Sequence, residues 1–100
     1  MYARHVTIKG DPARAHEVVR TQEDVVLPAL RDCAGFQAQL VLLDRVGGVA
    51  IGISLWDTEQ NMHASEEKIR AARQQVADSV QAETPPEVRL YEVPIFEVRS

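Results

Sequence analysis

The stretch "ISLWDTEQNMHAS", residues 53–65, holds the only tryptophan and the only asparagine of the chain, together with one of its three histidines. Trp56 could stack on a planar ligand, although an aromatic residue there can equally seal a strand against a helix, which we favour. His63 has the intrinsic chemistry of a general base, but its position beside Met62 favours a surface or helix-capping role. We therefore interpret the stretch mainly as a strand-to-helix junction.

Other reactive residue types are scattered along the chain. His5 follows Arg4 in a predicted strand and could serve either in catalysis or as a lining residue. His63 and Glu67 form a lone i,i+4 pair, and a zinc site needs three or four ligands, so we predict no metal. Cys33 has no evident activating neighbour. Since no nucleophile triad, phosphate loop or dinucleotide fingerprint appears, we predict no cofactor.

Length and composition narrow the class of protein. A chain of 100 residues with a formal net charge of −4 has room for one domain, residues 1–100, and shows no basic patch for nucleic acid. No apolar run approaches the roughly 20 residues that cross a bilayer, and no secretory signal is evident. The single cysteine fits a reducing compartment. These features predict a cytoplasmic protein that binds neither nucleic acid nor membrane.

Hydrophobic periodicity predicts the order of the elements. Period-two alternation marks a strand in "YARHVTIKG". Apolar runs mark two more strands in "FQAQLVLL" and "VAIGISLW", joined by a hairpin at "DRVGG". A last strand is predicted in "VRLYEVPIFEVRS", where Pro94 interrupts it or restricts it to an edge position. Helical spacing marks two helices, one starting at Asp11–Pro12 with a kink or break near Pro28, the other capped by Asp57 or Thr58. The buried stripe of the second helix should contain Met62, Ser65, Ile69, Ala72, Val76 and Val80. The resulting βαββαβ order predicts an α+β, ferredoxin-like fold, a four-stranded antiparallel sheet with two helices on one face.

The two middle strands carry more apolar residues than two helices can cover. In "FQAQLVLL" and "VAIGISLW" both strand faces contain bulky aliphatic side chains. An exposed apolar face of this size is uncommon in monomers. We therefore predict a homodimer formed by sheet-to-sheet packing, with residues 94–100 as a possible arm across the contact.

Two segments, "VVLPALRDCAGFQAQLVLLDR" and "ISLWDTEQNMHASEE", make the chain resemble the antibiotic-biosynthesis-monooxygenase (ABM) domain family of the dimeric α+β-barrel superfamily. The resemblance implies a homodimer with a ligand cleft between sheet and helices in each subunit. Haem-degrading members use an asparagine, a tryptophan and a histidine at positions that fall here near Arg4 or His5, near Ser65 and near Gln75. None of these matches, so haem degradation is disfavoured.

The leading interpretation is cofactor-independent monooxygenation of a small apolar or aromatic molecule. The alternative is a non-catalytic ligand-binding or structural protein of the same fold. Candidate catalytic residues are His5 and His63, and candidate substrate-binding residues are Arg4, Trp56, Ser65, Ile69 and Tyr91. Tyr91 could face either side of the sheet. A convergent polar cluster in an apolar cavity would favour ligand binding, whereas a space filled by Met62, Ile69 and Trp56 would favour the structural alternative.

Overall fold

The computed structural model describes residues 1–100 and contains one antiparallel sheet of four strands in the order β2-β3-β1-β4. The strands are β1 (Tyr2–Lys9), β2 (Phe36–Asp44), β3 (Val49–Trp56) and β4 (Glu87–Glu92). The central strand β1 pairs with both β3 and β4, so the first and last strands of the chain are neighbours. The predicted ferredoxin-like α+β fold is confirmed.

The first helical layer is interrupted, as the sequence predicts. A 3-10 turn (Pro12–Arg14) leads into α1 (Ala15–Thr21), a π-helical turn spans Gln22–Val26, and α2 covers Leu27–Arg31. Pro28 has no N–H to donate and would crowd the carbonyl of Asp24, so a regular α-helical ladder cannot continue through it. The widened turn just before Pro28 is the form that the expected kink takes.

The second helix, α3 (Glu59–Ser79), packs along β1 and β3. Of the two predicted caps it is Thr58 that acts, since its Oγ1 accepts a hydrogen bond of 3.0 Å from the backbone N–H of Asn61. Asp57 instead accepts from the Asn61 side-chain amide at 2.9 Å. The predicted buried stripe is confirmed, from Met62 to Val80.

Alternation along β1 decides which side chains meet the helices. Arg4, Val6 and Ile8 point towards the helices, with Val6 opposite Gly52 of β3. His5 pairs across the sheet with Ile53 and belongs to the opposite face. The fully buried centre of the core lies on the helix side and consists of Trp56, Leu30, Met62 and Val76.

The side of the sheet away from the helices is uncovered and apolar. We call it the open face and define it by Leu40, Leu42, Ile51, Ile53 and Tyr91. Leu40 and Leu42 are 55% and 45% exposed, although their neighbours on β3 are partly buried. The sheet therefore has two apolar faces, as the sequence predicts.

The chain after β4 leaves the sheet. The strand ends at Glu92, before Pro94, and residues 95–100 form no regular element. Ile95, Phe96 and Val98 are all exposed. None of the helices combines the length and the apolar character that crossing a bilayer requires.

Candidate functional site

A cavity lies between the inner face of the sheet and the helices. Its volume is about 50 Å³, which is room for a few water molecules. Its walls are mostly aliphatic, and the side chains that form them are Val6, Ile8, Val18, Val26, Leu30, Val41, Ala50, Ile69 and Val76.

A cluster of charged side chains closes one part of this cavity. Arg4 of β1 and Arg73 of α3 both line the cavity. Glu66 of α3 does not line it and forms ion pairs with both arginines. Glu66 Oε1 accepts a hydrogen bond of 3.1 Å from Arg73 Nη1, and a second, shorter bond joins Arg73 Nη2 to Oε2. Arg4 Nε lies 3.5 Å from Glu66 Oε1. These two guanidinium groups thus share one carboxylate with the exposed Arg70.

Arg4 is almost wholly buried and only partly satisfied. Its Nη2 donates to the carbonyl of Met62 at 2.7 Å and to Ser65 Oγ at 2.9 Å. The guanidinium carbon lies 5.6 Å from the ring centre of Trp56, within the range of a cation–π interaction. Nη1 and Nε have no hydrogen-bond partner. Unpartnered buried donors are costly, which makes this arrangement a candidate for ligand contact.

Two glutamines also line the cavity, Gln39 on the same sheet face as Arg4 and Gln22 in the π-helical turn. Gln39 of β2 donates from Nε2 to Gln22 Oε1, in the π-helical turn, over 3.4 Å. The Oε1 atom of Gln39 is buried without a hydrogen-bond partner. Two of the residues that line the cavity, Arg4 and Gln39, therefore each contain a buried polar atom without a hydrogen-bond partner.

Burial and ion pairing shift the pKa values of two groups in this cluster, Arg4 and Glu66. Burial lowers the pKa of the Arg4 guanidinium, an effect that the charge of Glu66 partly offsets. The hydrogen bonds from Arg73, with smaller contributions from Arg4 and Arg70, hold the pKa of Glu66 below its usual value in spite of burial. Glu66 is consequently an ionised partner for the arginines and a weak base.

Three of the residues predicted to bind substrate come together here. Arg4 and Ile69 line the cavity, and Ser65 lies behind Arg4 as its hydrogen-bond partner. Trp56 has no exposed surface and does not line the cavity. It packs edge-on against Phe36 and donates from Nε1 to Ser54 Oγ at 2.9 Å, so it seals the strand–helix joint.

The other predicted residues lie elsewhere. His5 and Tyr91 meet on the open-face side of the sheet, with ring centres 6.2 Å apart in an edge-to-face arrangement. The register that pairs Tyr91 with Ala3 decides the orientation that the sequence leaves open. His63 lies on the exposed side of α3, where its Nε2 is 3.8 Å from Glu59 Oε1. Neither imidazole lines the cavity.

The sequence analysis does not identify four residues of the site: Gln22, Gln39, Glu66 and Arg73. Gln22 occupies the apolar stripe of the first helix, and a polar residue in such a stripe is a usable signal. Glu66 and Arg73 are two turns apart on α3, a spacing that allows contact through long side chains. No group of three or more histidine, cysteine or acidic side chains is placed to hold a metal.

The structure defines the class of the protein as a ferredoxin-like α+β domain, and solved structures named as monooxygenases share this fold. The monooxygenase ActVA-Orf6 of Streptomyces coelicolor, solved with nanaomycin D, superposes with a TM-score of 0.78 at 18% identity, over 99% of this chain and 92% of that chain. The structure of an antibiotic biosynthesis monooxygenase superposes with a TM-score of 0.70 at 14% identity, over 93% of this chain and 98% of that chain. The predicted resemblance is confirmed at the level of the fold.

Sequence comparison leads to relatives without an assigned activity. No family model matches the chain. Rv2558 and Rv2557 of Mycobacterium tuberculosis, both uncharacterised, are 35% identical to it over 77 and 78 residues, covering 77% and 78% of this chain. The chain spans about a third of the length of these relatives, 33% and 35% respectively.

Proposed function

We propose that this chain is an ABM-like domain that binds a small, largely apolar organic molecule between sheet and helices and oxidises it with O₂ without a cofactor. The observation that carries the proposal is that Arg4 and Gln39, each with a buried polar atom that has no hydrogen-bond partner, both line a cavity with aliphatic walls. Such a combination is typical of ligand sites. The structurally similar ActVA-Orf6 holds an organic ligand, nanaomycin D, which supports this choice.

The proposed oxidation needs two contributions from the protein, stabilisation of an anion and exclusion of water. The two arginines would stabilise the anionic oxygen of an enolate or phenolate, and the aliphatic walls would exclude water from it. The electron-rich carbon then reacts with O₂. A methylene group becomes a carbonyl with one oxygen atom, and the second oxygen atom leaves as water with the two hydrogens (R₂CH₂ + O₂ → R₂C=O + H₂O).

The cavity supplies no proton acceptor, and this restricts the substrates that the domain could oxidise. No histidine lines the cavity, and the low pKa of Glu66, imposed by Arg73, makes that carboxylate a poor proton acceptor. The substrate must therefore be acidic enough to ionise with the help of the two cations alone. Polyphenolic compounds with an activated methylene group have this property.

The same lack of a base favours a second candidate function. A domain that binds an acidic aromatic molecule without transforming it needs the cavity and its arginines but no proton acceptor. This non-catalytic alternative uses the same site. Only a measurement of substrate turnover distinguishes it from oxidation.

We further propose that the functional unit is a homodimer of single domains, residues 1–100, with the two open faces packed together and residues 94–100 reaching across the contact. Exposed Leu40 and Leu42 on the sheet, and exposed Ile95 and Phe96 beyond it, support this arrangement. The cytoplasm is the compartment that we propose, on the strength of the single half-buried cysteine.

An oxygen-consumption assay tests the oxidation. The protein is mixed with a hydroxylated anthrone, whose central methylene is activated, and O₂ uptake is followed with an electrode. We expect one O₂ per anthrone and a loss of most of the rate in Arg4→Met, while Val46→Asp, an exposed change in the β2–β3 turn, leaves the rate unchanged. Binding without uptake above the protein-free rate would leave only the non-catalytic function, and absence of binding would remove both.

A further inference from the structure

We infer that the association of two open faces is a pH-sensitive switch controlled by His5, and that protonation of this imidazole releases the monomers. The inference rests on the homodimer of the proposed function, because it concerns the regulation of that same contact. It goes further in naming one side chain whose charge decides whether a second copy of this chain can bind.

The first argument is the position of His5 in the middle of the open face. It lies halfway along β1, and its cross-strand partners are Ile53 of β3 and Arg89 of β4. Ile53 in turn pairs with Leu40 of β2, so the imidazole continues an aliphatic row. Its ring is half-buried in the single chain and packs edge-on against Tyr91. A second copy that covers this row therefore also removes His5 from water.

The second argument is the charge of the groups that face His5. On β4 they are Arg89, directly opposite, and Glu87, whose Oε1 Arg89 already contacts through Nη2 and Nε at 2.8 and 2.9 Å. On β3 the neighbours in this face are Ile51 and Ile53. An imidazolium here would lie beside a guanidinium, and a covered charge without water or a free carboxylate is costly.

A second copy of the chain brings no spare carboxylate, because it presents the same open face. The other charged groups of this face are Lys9 and Asp44, which lie in one row at its far end, two rows from His5. Asp44 Oδ1 already accepts hydrogen bonds from the backbone N–H groups of Val46 and Gly47. The dimer should therefore bind fewer protons than two monomers, and association should weaken as the pH falls.

The other two histidines provide the contrast. His16 Nε2 lies 3.2 Å from Glu17 Oε1, and His63 Nε2 lies 3.8 Å from Glu59 Oε1. Both side chains are more than half exposed, so protonation leaves each in water beside a carboxylate. Histidine is the side chain that ordinarily changes charge between about pH 5 and 8. A loss of association in that range is therefore expected to come from His5.

Sedimentation equilibrium of the full chain at two pH values and one ionic strength tests the inference. Since each copy must release a proton before the faces close, we expect the dissociation constant to be about 10–100 times larger at about pH 5.5 than at about pH 7.5. His5→Phe keeps a ring against Tyr91 and cannot be protonated, so it should remove this difference. His63→Gln, the exposed control, should retain it.

The outcomes separate the inference from the proposed dimer. A wild-type chain that is monomeric at about pH 7.5 would remove the proposed dimer, and the inference with it. A dimer of equal strength at both pH values, or a difference that persists in His5→Phe, would overturn the inference alone. So would a tighter dimer in acid, the result expected if Glu97 of the tail paired with the imidazole.

A second measurement covers the case in which His5→Phe does not fold. Dilution calorimetry of the wild-type chain at about pH 6, in two buffers of different ionisation heat, counts the protons that accompany dissociation. Dissociation should take up protons, and dissociation without uptake would overturn the inference.

Discussion

The two faces of the sheet are both apolar, but they are incomplete in different ways. The inner face, under the helices, is packed with aliphatic side chains and leaves buried polar atoms on Arg4 and Gln39 without partners. The open face has no such orphaned atoms and instead leaves Leu40 and Leu42 about half exposed. A small polar ligand can supply a missing hydrogen-bond partner. An exposed aliphatic surface is instead buried by contact with another protein surface.

The largest expected effect is on association through the open face. Leu42→Asp places a charge where a twofold contact would bury two leucines, and each buried leucine contributes roughly 1.5–3 kcal/mol. The dimer dissociation constant should rise by about 10²–10⁴-fold. Sedimentation at micromolar concentration should then give the monomer mass of 11.2 kDa.

The matched control for that experiment is Val46→Asp. Val46 is 91% exposed in the turn between β2 and β3, so the same charge there should not change the mass. A wild-type protein that already sediments as a monomer, or a Leu42→Asp protein of unchanged dimer mass, would contradict the assignment of the open face to a second copy.

The next largest effect concerns the charged cluster on the inner face. Glu66→Ala leaves buried Arg4 and nearly buried Arg73 without their carboxylate. We expect a loss of about 2–4 kcal/mol in the free energy of unfolding, below the value for a fully buried pair because Glu66 keeps 29% of its side chain exposed. Urea denaturation measures it, with Glu67→Ala, the exposed neighbour, as the control. Equal losses in both variants would argue against a buried cluster.

Arg4→Met should affect stability much less than it affects binding. Each partner of Arg4 keeps another contact, since Ser65 Oγ donates to the Met62 carbonyl at 2.6 Å and Glu66 retains Arg73. Methionine also removes a buried charge with unpartnered donors. We expect a change within about 1 kcal/mol by urea denaturation, together with loss of most of the oxidation rate. A loss as large as that in Glu66→Ala would indicate that Arg4 is mainly structural.

The smallest effect is the pH dependence of stability. Because Arg73 lowers the pKa of folded Glu66, this group stabilises the protein above the ordinary carboxyl pKa of 4.5 and ceases to do so as pH falls through the lower folded value. The stability difference between wild type and Glu66→Gln, measured by urea denaturation, should therefore be larger at about pH 6 than at about pH 3. A difference that grows on acidification would contradict the assigned direction of the shift.

Much of the fold follows from local pattern. The period-two strands, the stripe from Met62 to Val80 and the disruption at Pro28 were all predictable, because alternation and helical spacing are properties of neighbouring residues. The site was only partly predictable. Arg4, Ser65 and Ile69 were predicted to bind substrate and come together at the cavity. Glu66 was not predicted there, and its carboxylate contacts Arg73 and Arg4 as well as Arg70.

The sequence by itself determined which residues share a strand face or a helix stripe, because the backbone period decides that locally. Only the tertiary structure decided which face of each strand the helices cover, and so placed Arg4 in the cavity and His5 with Tyr91 on the other side. It also brought Arg4 of β1 to Glu66 and Arg73 of α3, residues more than 60 positions away. Such contacts depend on how layers pack, and packing is a property of the whole chain.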